Sequence, residues 1–178
     1  MTKLRVSNKD YYRHLWEMLL YLGLCISLPF VFEYIYEEKD IFDFTIRLSV
    51  IFFVLLCVPP MVLFFRYAIV NNSLEIAYKS NDIELLLNGK KRIVKLNEIE
   101  HIEIKLTFPT YFSGIRYLAT DSFLYAVIYL HSKESFTVTS LLDNELFDTK
   151  AFFNGRVDIF RKLRFVCWPP GQNLHFSQ

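Results

Sequence analysis

Glycine is scarce in this chain, with five in 178 residues. No Walker loop and no Gly-rich nucleotide fingerprint occurs, so backbone cradles for phosphate have little to form from. GxSxG and HExxH are absent as well, which removes the common serine-hydrolase and zinc-protease signatures. Net charge is only +1, so no basic field draws nucleic acid, and no nucleic-acid partner is expected. The three cysteines, Cys25, Cys57 and Cys167, include no CxxC pair. An odd count without one fits a reducing compartment, and Cys25 and Cys57 sit in apolar runs where free cysteine acts as a small hydrophobe. A signal peptide is not expected either. The first apolar run ends in Phe-Glu-Tyr-Ile-Tyr-Glu-Glu instead of a small-residue cleavage site, and a second follows at once.

What the chain does have is apolar and aromatic side chains, 53% and 17% of its residues. The excess lies between Leu15 and Phe65. Met18 to Phe32 and Leu48 to Phe65 carry no charge. With their flanks both reach the length, about 20 residues, that a membrane-crossing helix needs. Pro29 lies in the first span, and Pro59-Pro60 is expected to bend the second near the membrane surface. The acidic link Glu37–Asp43 is short, so the two helices are antiparallel neighbours. Lys3, Arg5, Lys9 and Arg13 precede the first helix and Arg66 follows the second. By the positive-inside rule both termini are cytoplasmic, in a multi-pass membrane protein. Tyr11, Tyr12, Trp16, Tyr34, Tyr36 and Tyr67 stand where an interfacial aromatic belt would. Four segments are expected: a cytoplasmic N-terminal stretch 1–14, a transmembrane hairpin 15–66, a cytoplasmic domain 67–168 and a flexible tail 169–178.

After Tyr67 the hydrophobic period becomes two. Ser73–Lys79 and Asp82–Leu87 read as strands. Asn88-Gly89 supplies the positive φ angles of a type I′ turn, and Lys90–Leu96 returns as the partner strand. Ile102, Ile104 and Leu106 alternate with Glu103 and Lys105, which predicts one buried and one wet face. Residues 107–122 read as a loop with a short strand around Ile115–Leu118. Phe123–Leu130 and Ser135–Ser140 follow as strands. Asp143 is placed to cap a helix, which apolar residues at helical spacing extend to about Val166.

A helical pair followed by six or seven antiparallel strands and one C-terminal helix resembles a known family. It is that of small bacterial membrane proteins in which two helices precede a pleckstrin-homology-like (PH-like) barrel. The resemblance covers residues 11–166 and is carried by Leu74-Glu75-Ile76, by Ile83-Glu84-Leu85 and by the run Val94 to Ile102. It implies a fold of a membrane α-hairpin plus a β-rich α+β domain, in the bacterial inner membrane.

These residues bear on three kinds of function. For catalysis or a metal, His14, His101, His131 and His175 are far apart. His101 with Glu98, Glu100 and Glu103 reads more simply as the solvated face of a strand, so no catalytic, cofactor or metal residues are assigned. For lipid, the resemblance implies headgroup contact near the first hairpin, but the turn Tyr78–Asp82 holds one lysine. The basic cluster is Lys90, Lys91, Arg92 and Lys95, a candidate lipid-surface contact or a solubilising edge. Arg156, Arg161, Lys162 and Arg164 read as partners of a helix C-terminus and could rest on the inner leaflet. For protein contact, Glu33 and Arg47 could pair within the membrane and specify packing. The resulting expectation is a non-enzymatic, membrane-anchored adaptor that contacts protein and lipid. The alternative is an immunity protein that neutralises a toxin at the inner membrane.

Overall fold

The computed structural model describes residues 2–36, 39–72, 74–112, 114 and 118–174. Helix α1 spans Asn8–Tyr36, and α2 (Lys39–Leu56) runs back against it. Ser7 stands at the head of α1, where its backbone N–H and its hydroxyl both donate to the Asp10 carboxylate, at 2.9 and 2.7 Å. That acid also complements the positive end of the helix. Helix α3 (Val58–Asn71) continues from α2 with a break at Cys57. Cys57 still donates to Phe53 and accepts from Met61, but Pro59 and Pro60 have no N–H to give, so the ladder is interrupted where the prolines predicted a bend.

The hairpin is inside out relative to a soluble helix pair. Its seam is made of small and polar residues, with Cys25, Thr45 and Ser49 each less than a tenth exposed. The Thr45 hydroxyl donates back to the carbonyls of Ile41 and Phe42. Leu24, Phe30, Phe44, Ile51, Val54 and Leu55 point outward. Two helical stretches, Lys9–Tyr36 and Asp40–Asn71, are long and apolar enough to cross a membrane.

The rest of the chain forms two four-stranded sheets. The first contains β1 (Thr2–Arg5), β2 (Leu74–Tyr78), β3 (Asp82–Leu87) and β4 (Lys90–Lys95), in that order across the sheet and antiparallel throughout. The second has the order β7 (Ser135–Thr139), β6 (Tyr125–Leu130), β5 (Ile99–Leu106), β8 (Ile159–Leu163), with β8 parallel to β5. Asn88 (φ 51°) and Gly89 (φ 78°) close the β3–β4 hairpin in the left-handed conformations that such a turn requires. A register shift between Ile99 and His101 lets both Ile99 and Ile102 face inward. The inner faces meet in one core, with Ile76, Ile83 and Leu85 from the first sheet against Ile104, Ile128 and Phe136 from the second. Helix α5 (Phe147–Phe153) plugs one side with Phe153, its first-turn amides received by the Asp143 carboxylate at 3.2 and 2.7 Å.

Several expectations are corrected. The strands number eight among the described residues, in two open sheets rather than a six- or seven-stranded barrel. Part of the N-terminal segment is a sheet strand, β1. The C-terminal helix stops at Phe153, because Asn154 leaves the helical conformation and Gly155 takes a positive φ of 70°. The chain beyond becomes β8. The expected tail is not loose up to Leu174, since Asn173 bridges to Ser135 and the Gln172 side chain bonds Thr137 and Val70. The loop 107–122 contains a helical turn, α4 (Phe108–Tyr111), and a 3₁₀ turn, Ala119–Ser122. Most of the strand expected around Ile115 lies outside the described residues.

Candidate functional site

The two sheets run between a helix-proximal end and a far end. Strand β2 leaves α3 at Leu74 and reaches the far end at Tyr78. Strand β3 returns, so that Leu87 sits opposite Leu74 and the Asn88-Gly89 turn is helix-proximal. In the second sheet the helix-proximal end holds Thr139, the C-terminal ends of β5 and β8, and the 3₁₀ turn Ala119–Ser122, which touches α1 and α3.

A dense joint holds the helices to the domain there. The buried Tyr67 hydroxyl donates to the carbonyl of Cys167 at 2.9 Å, and its ring meets Phe123 edge-on with centroids 5.0 Å apart. The Asn71 amide donates to Tyr67 O and to Thr139 Oγ1, at 2.6 and 2.5 Å. Arg66 Nε donates to Pro169 O, Arg13 to Ser140 O, and Gln172 to Val70 O. Burial pushes the Cys167 thiol up to about 12 and the Tyr125 hydroxyl up to about 12, so both stay neutral in this joint. Tyr67, expected in the aromatic belt, is thus an internal docking residue, because Phe123 and Cys167 come over it from distant parts of the chain. Tyr12, Trp16, Tyr34 and Tyr36 do remain exposed, and Tyr11 is half-buried against Phe64.

The four candidate lipid-contact cations are not one patch. All lie on β4, but their neighbours differ. Arg92 makes a fork-to-fork pair with Glu134, at 2.6 and 2.5 Å. Lys91 joins Lys79 on Glu84, whose carboxyl these two hydrogen bonds pull down to about 2. Lys90 is exposed at the helix-proximal end, whereas Lys95 is exposed opposite Asp82 at the far end, about 16 Å along the strand. Glu33 and Arg47 are both exposed, and among the described residues no ion pair joins them.

The turn that the family resemblance connects with headgroups is at the far end. Lys79 and Ser80 there line a shallow groove with Tyr78, Phe152 and Arg156. Arg156 donates to Ser80 O at 2.7 Å and lies over the Phe152 ring. Its position in this groove depends on a contact 76 residues apart, which no local pattern signals. A second groove runs between α5 and β8, lined by Phe147, Lys150, Ala151, Asn154, Ile159 and Arg161.

The outer face of β5 is covered, not wet. Glu103 and Lys105 are 9% and 5% exposed. Burial raises the Glu103 carboxyl, but hydrogen bonds from Lys105 and Lys162 outweigh that and leave it below its ordinary value. His101 stacks on Tyr129 with centroids 4.6 Å apart. Among the described residues, no three His, Cys, Asp or Glu side chains gather to hold a metal.

A family model described as a PH domain matches residues 4–150. The chain belongs to this PH-domain family. The match begins inside β1 and runs through the hairpin, so the helices lie within the family region and are not an appendage ahead of it. PH domains are typically non-catalytic interaction modules. No curated protein and no solved structure matches the chain significantly.

Proposed function

We propose that this PH-domain chain is a non-enzymatic adaptor, anchored in the bacterial inner membrane by the hairpin, that presents its domain to a protein partner in the cytoplasm. The observation that carries the reading is the inverted burial of the hairpin. In water, outward Leu24, Phe30, Phe44, Ile51 and Val54 would each forfeit more than half of the about 1.5–3 kcal/mol that full burial brings. In lipid that loss vanishes, and a seam of small and polar residues such as Cys25, Thr45 and Ser49 is what packs membrane helices closely. Fewer than a quarter of the residues in each most-apolar stretch are buried, 17% and 22%, which favours lipid over a soluble core. The excess of Lys and Arg at the domain end argues for both termini inside.

Protein contact is favoured over headgroup binding at the first-hairpin turn for two reasons. That turn is at the end of the domain away from the helices, and its one lysine, Lys79, pairs with Glu84 while the adjacent Arg156 is bonded to Ser80 O. The grooves flanking α5, with Phe147 71% exposed, form the candidate contact. Purification of the tagged full chain from native membranes in mild detergent tests this. A stoichiometric protein partner that Phe147→Ser removes is expected. A chain that purifies alone, or one with intrinsic hydrolase activity, would overturn the adaptor reading. A co-purifying toxin would favour an immunity role.

A further inference from the structure

The aromatic residues at the helix-proximal end of the domain have no place in that adaptor reading. Phe108 and Phe112 are 62% and 61% exposed, Phe165 is 96% exposed and Trp168 50%. The first two pack on each other, with centroids 4.8 Å apart, in and just after α4. Helix α4 in turn touches β8 and the 3₁₀ turn Ala119–Ser122. Phe165 and Trp168 follow β8, and Arg164 N–H ties that exit to Leu106 O at 2.8 Å. Trp168 is fixed against the foot of α3, where the Arg66 guanidinium lies 5.7 Å from its ring centre. An isolated soluble domain gains nothing by pointing such rings at water, and clusters of them mark contact surfaces.

We infer that this end of the domain lies in the lipid–water interface, with the rings of Phe108, Phe112, Phe165 and Trp168 inserted among phospholipid headgroups. The inference rests on the hairpin crossing the membrane, and three observations carry it from there. Trp168 lies against Arg66, next to Phe65 (59% exposed) on the outward apolar face of α3, and α4 is linked to α3 through the 3₁₀ turn Ala119–Ser122, so the surface continues from the one that lipid covers. Tryptophan is the side chain most suited to that depth, because its ring is apolar and its N–H seeks a polar partner. The flanking cations Arg66 and Arg164 match anionic headgroups in sign. Together with the Tyr67–Cys167 and Asn71–Thr139 contacts, the rim holds the domain on the bilayer in one orientation, with the α5 grooves free for a partner.

The test uses the full chain with Trp16→Phe, which leaves Trp168 as its one tryptophan, since the sequence has two. It is reconstituted in phosphatidylcholine–phosphatidylglycerol vesicles whose acyl chains carry bromine near the headgroup. Trp168 emission should fall about twofold or more, aqueous iodide should quench it weakly, and Phe165→Ser should reduce the bromine effect. Absence of bromine quenching overturns the inference in either form. Strong iodide quenching would mean an open surface, and weak iodide quenching would mean a covering protein or second copy. A reference chain with Trp16→Phe, Trp168→Phe and Leu24→Trp reports on the hairpin separately. If its tryptophan is quenched by deep bromines while Trp168 is not, only the rim is lost. If neither is quenched, the membrane reading falls as well.

Discussion

Arg92 and Glu134 face each other fork to fork across the gap between the two sheets, with N–O distances of 2.6 and 2.5 Å. Arg92 is on β4, the edge of the first sheet, and Glu134 is in the β6–β7 turn of the second. Ser132 donates a further bond to the same carboxylate, so the pair clips the open corner of the sandwich. A cation that reads in sequence as a surface contact is in the fold a structural one.

Arg92→Ala is expected to cost about 1.5–3 kcal/mol, the range for hydrogen bonds to charged groups in partly buried settings. Arg92→Lys should recover only part, because an ammonium cannot satisfy both oxygens in one plane. Lys90→Ala should be silent. Thermal melting of the detergent-solubilised full chain, with Glu134→Ala to complete a double-mutant cycle, measures all three.

The joint at α3 predicts a second graded series. Tyr67→Phe removes the bond to Cys167 O and leaves a buried carbonyl unpaired, at about 1–3 kcal/mol. Tyr67→Ala also empties the space against Phe123 and should cost about 3–5 kcal/mol. Limited trypsin digestion should then cut more readily at Arg164, with little change at Lys90. Equal acceleration at both sites would mean that Tyr67 supports the whole domain rather than the strap 164–169.

Acid stability follows from Glu84 and Glu103. Both carboxyls sit below their ordinary 4.5 in the folded protein, Glu84 at about 2. A lowered folded pKa means that the unfolded chain takes up protons first as pH falls. Their contribution is therefore complete above about 4.5 and is lost between there and the folded value. Glu84→Gln should flatten the fall in melting temperature below pH 4.5, while leaving its value at pH 7 lower than wild type. Burial holds Asp143 in the opposite sense, above its ordinary value, so Asp143→Asn should not flatten that fall.

The hairpin predicts contrasting effects at neighbouring positions of one helix. Val54 faces outward, 51% exposed, and Val54→Asp should oppose insertion by about 2.5–3.5 kcal/mol. Alkaline extraction of membranes should release that variant. Thr45 faces the seam at 2% exposure, and Thr45→Leu should leave insertion intact but lower thermal stability by about 1–3 kcal/mol through overpacking. Release of both variants alike would mean the seam and the outer face are not distinguished by lipid.

Sequence alone determined those features whose cause is local. Two uncharged runs of helical length require complete burial or lipid. Asn88-Gly89 satisfies its φ angles within two residues, and Asp143 reaches amides five and six positions on. Alternation along β2, β3 and β7 needs only one core face to be visible, and the continuous apolar run of β6 marks a central strand. Tertiary structure decided whatever depends on what covers a side chain. Glu103 and Lys105 alternate like a wet face, yet Lys162 comes from 59 residues away to close over Glu103. The helical spacing after Asp143 holds to Phe153, beyond which pairing with β5 captures Ile159–Leu163 as a strand. The rings of Phe108, Phe112, Phe165 and Trp168 come from two distant stretches, and only the fold, through the contact of α4 with β8, brings those stretches to the helix-proximal end of the domain. Local periodicity reports which face is apolar, but burial is a property of the neighbours, and these neighbours are brought by long-range pairing.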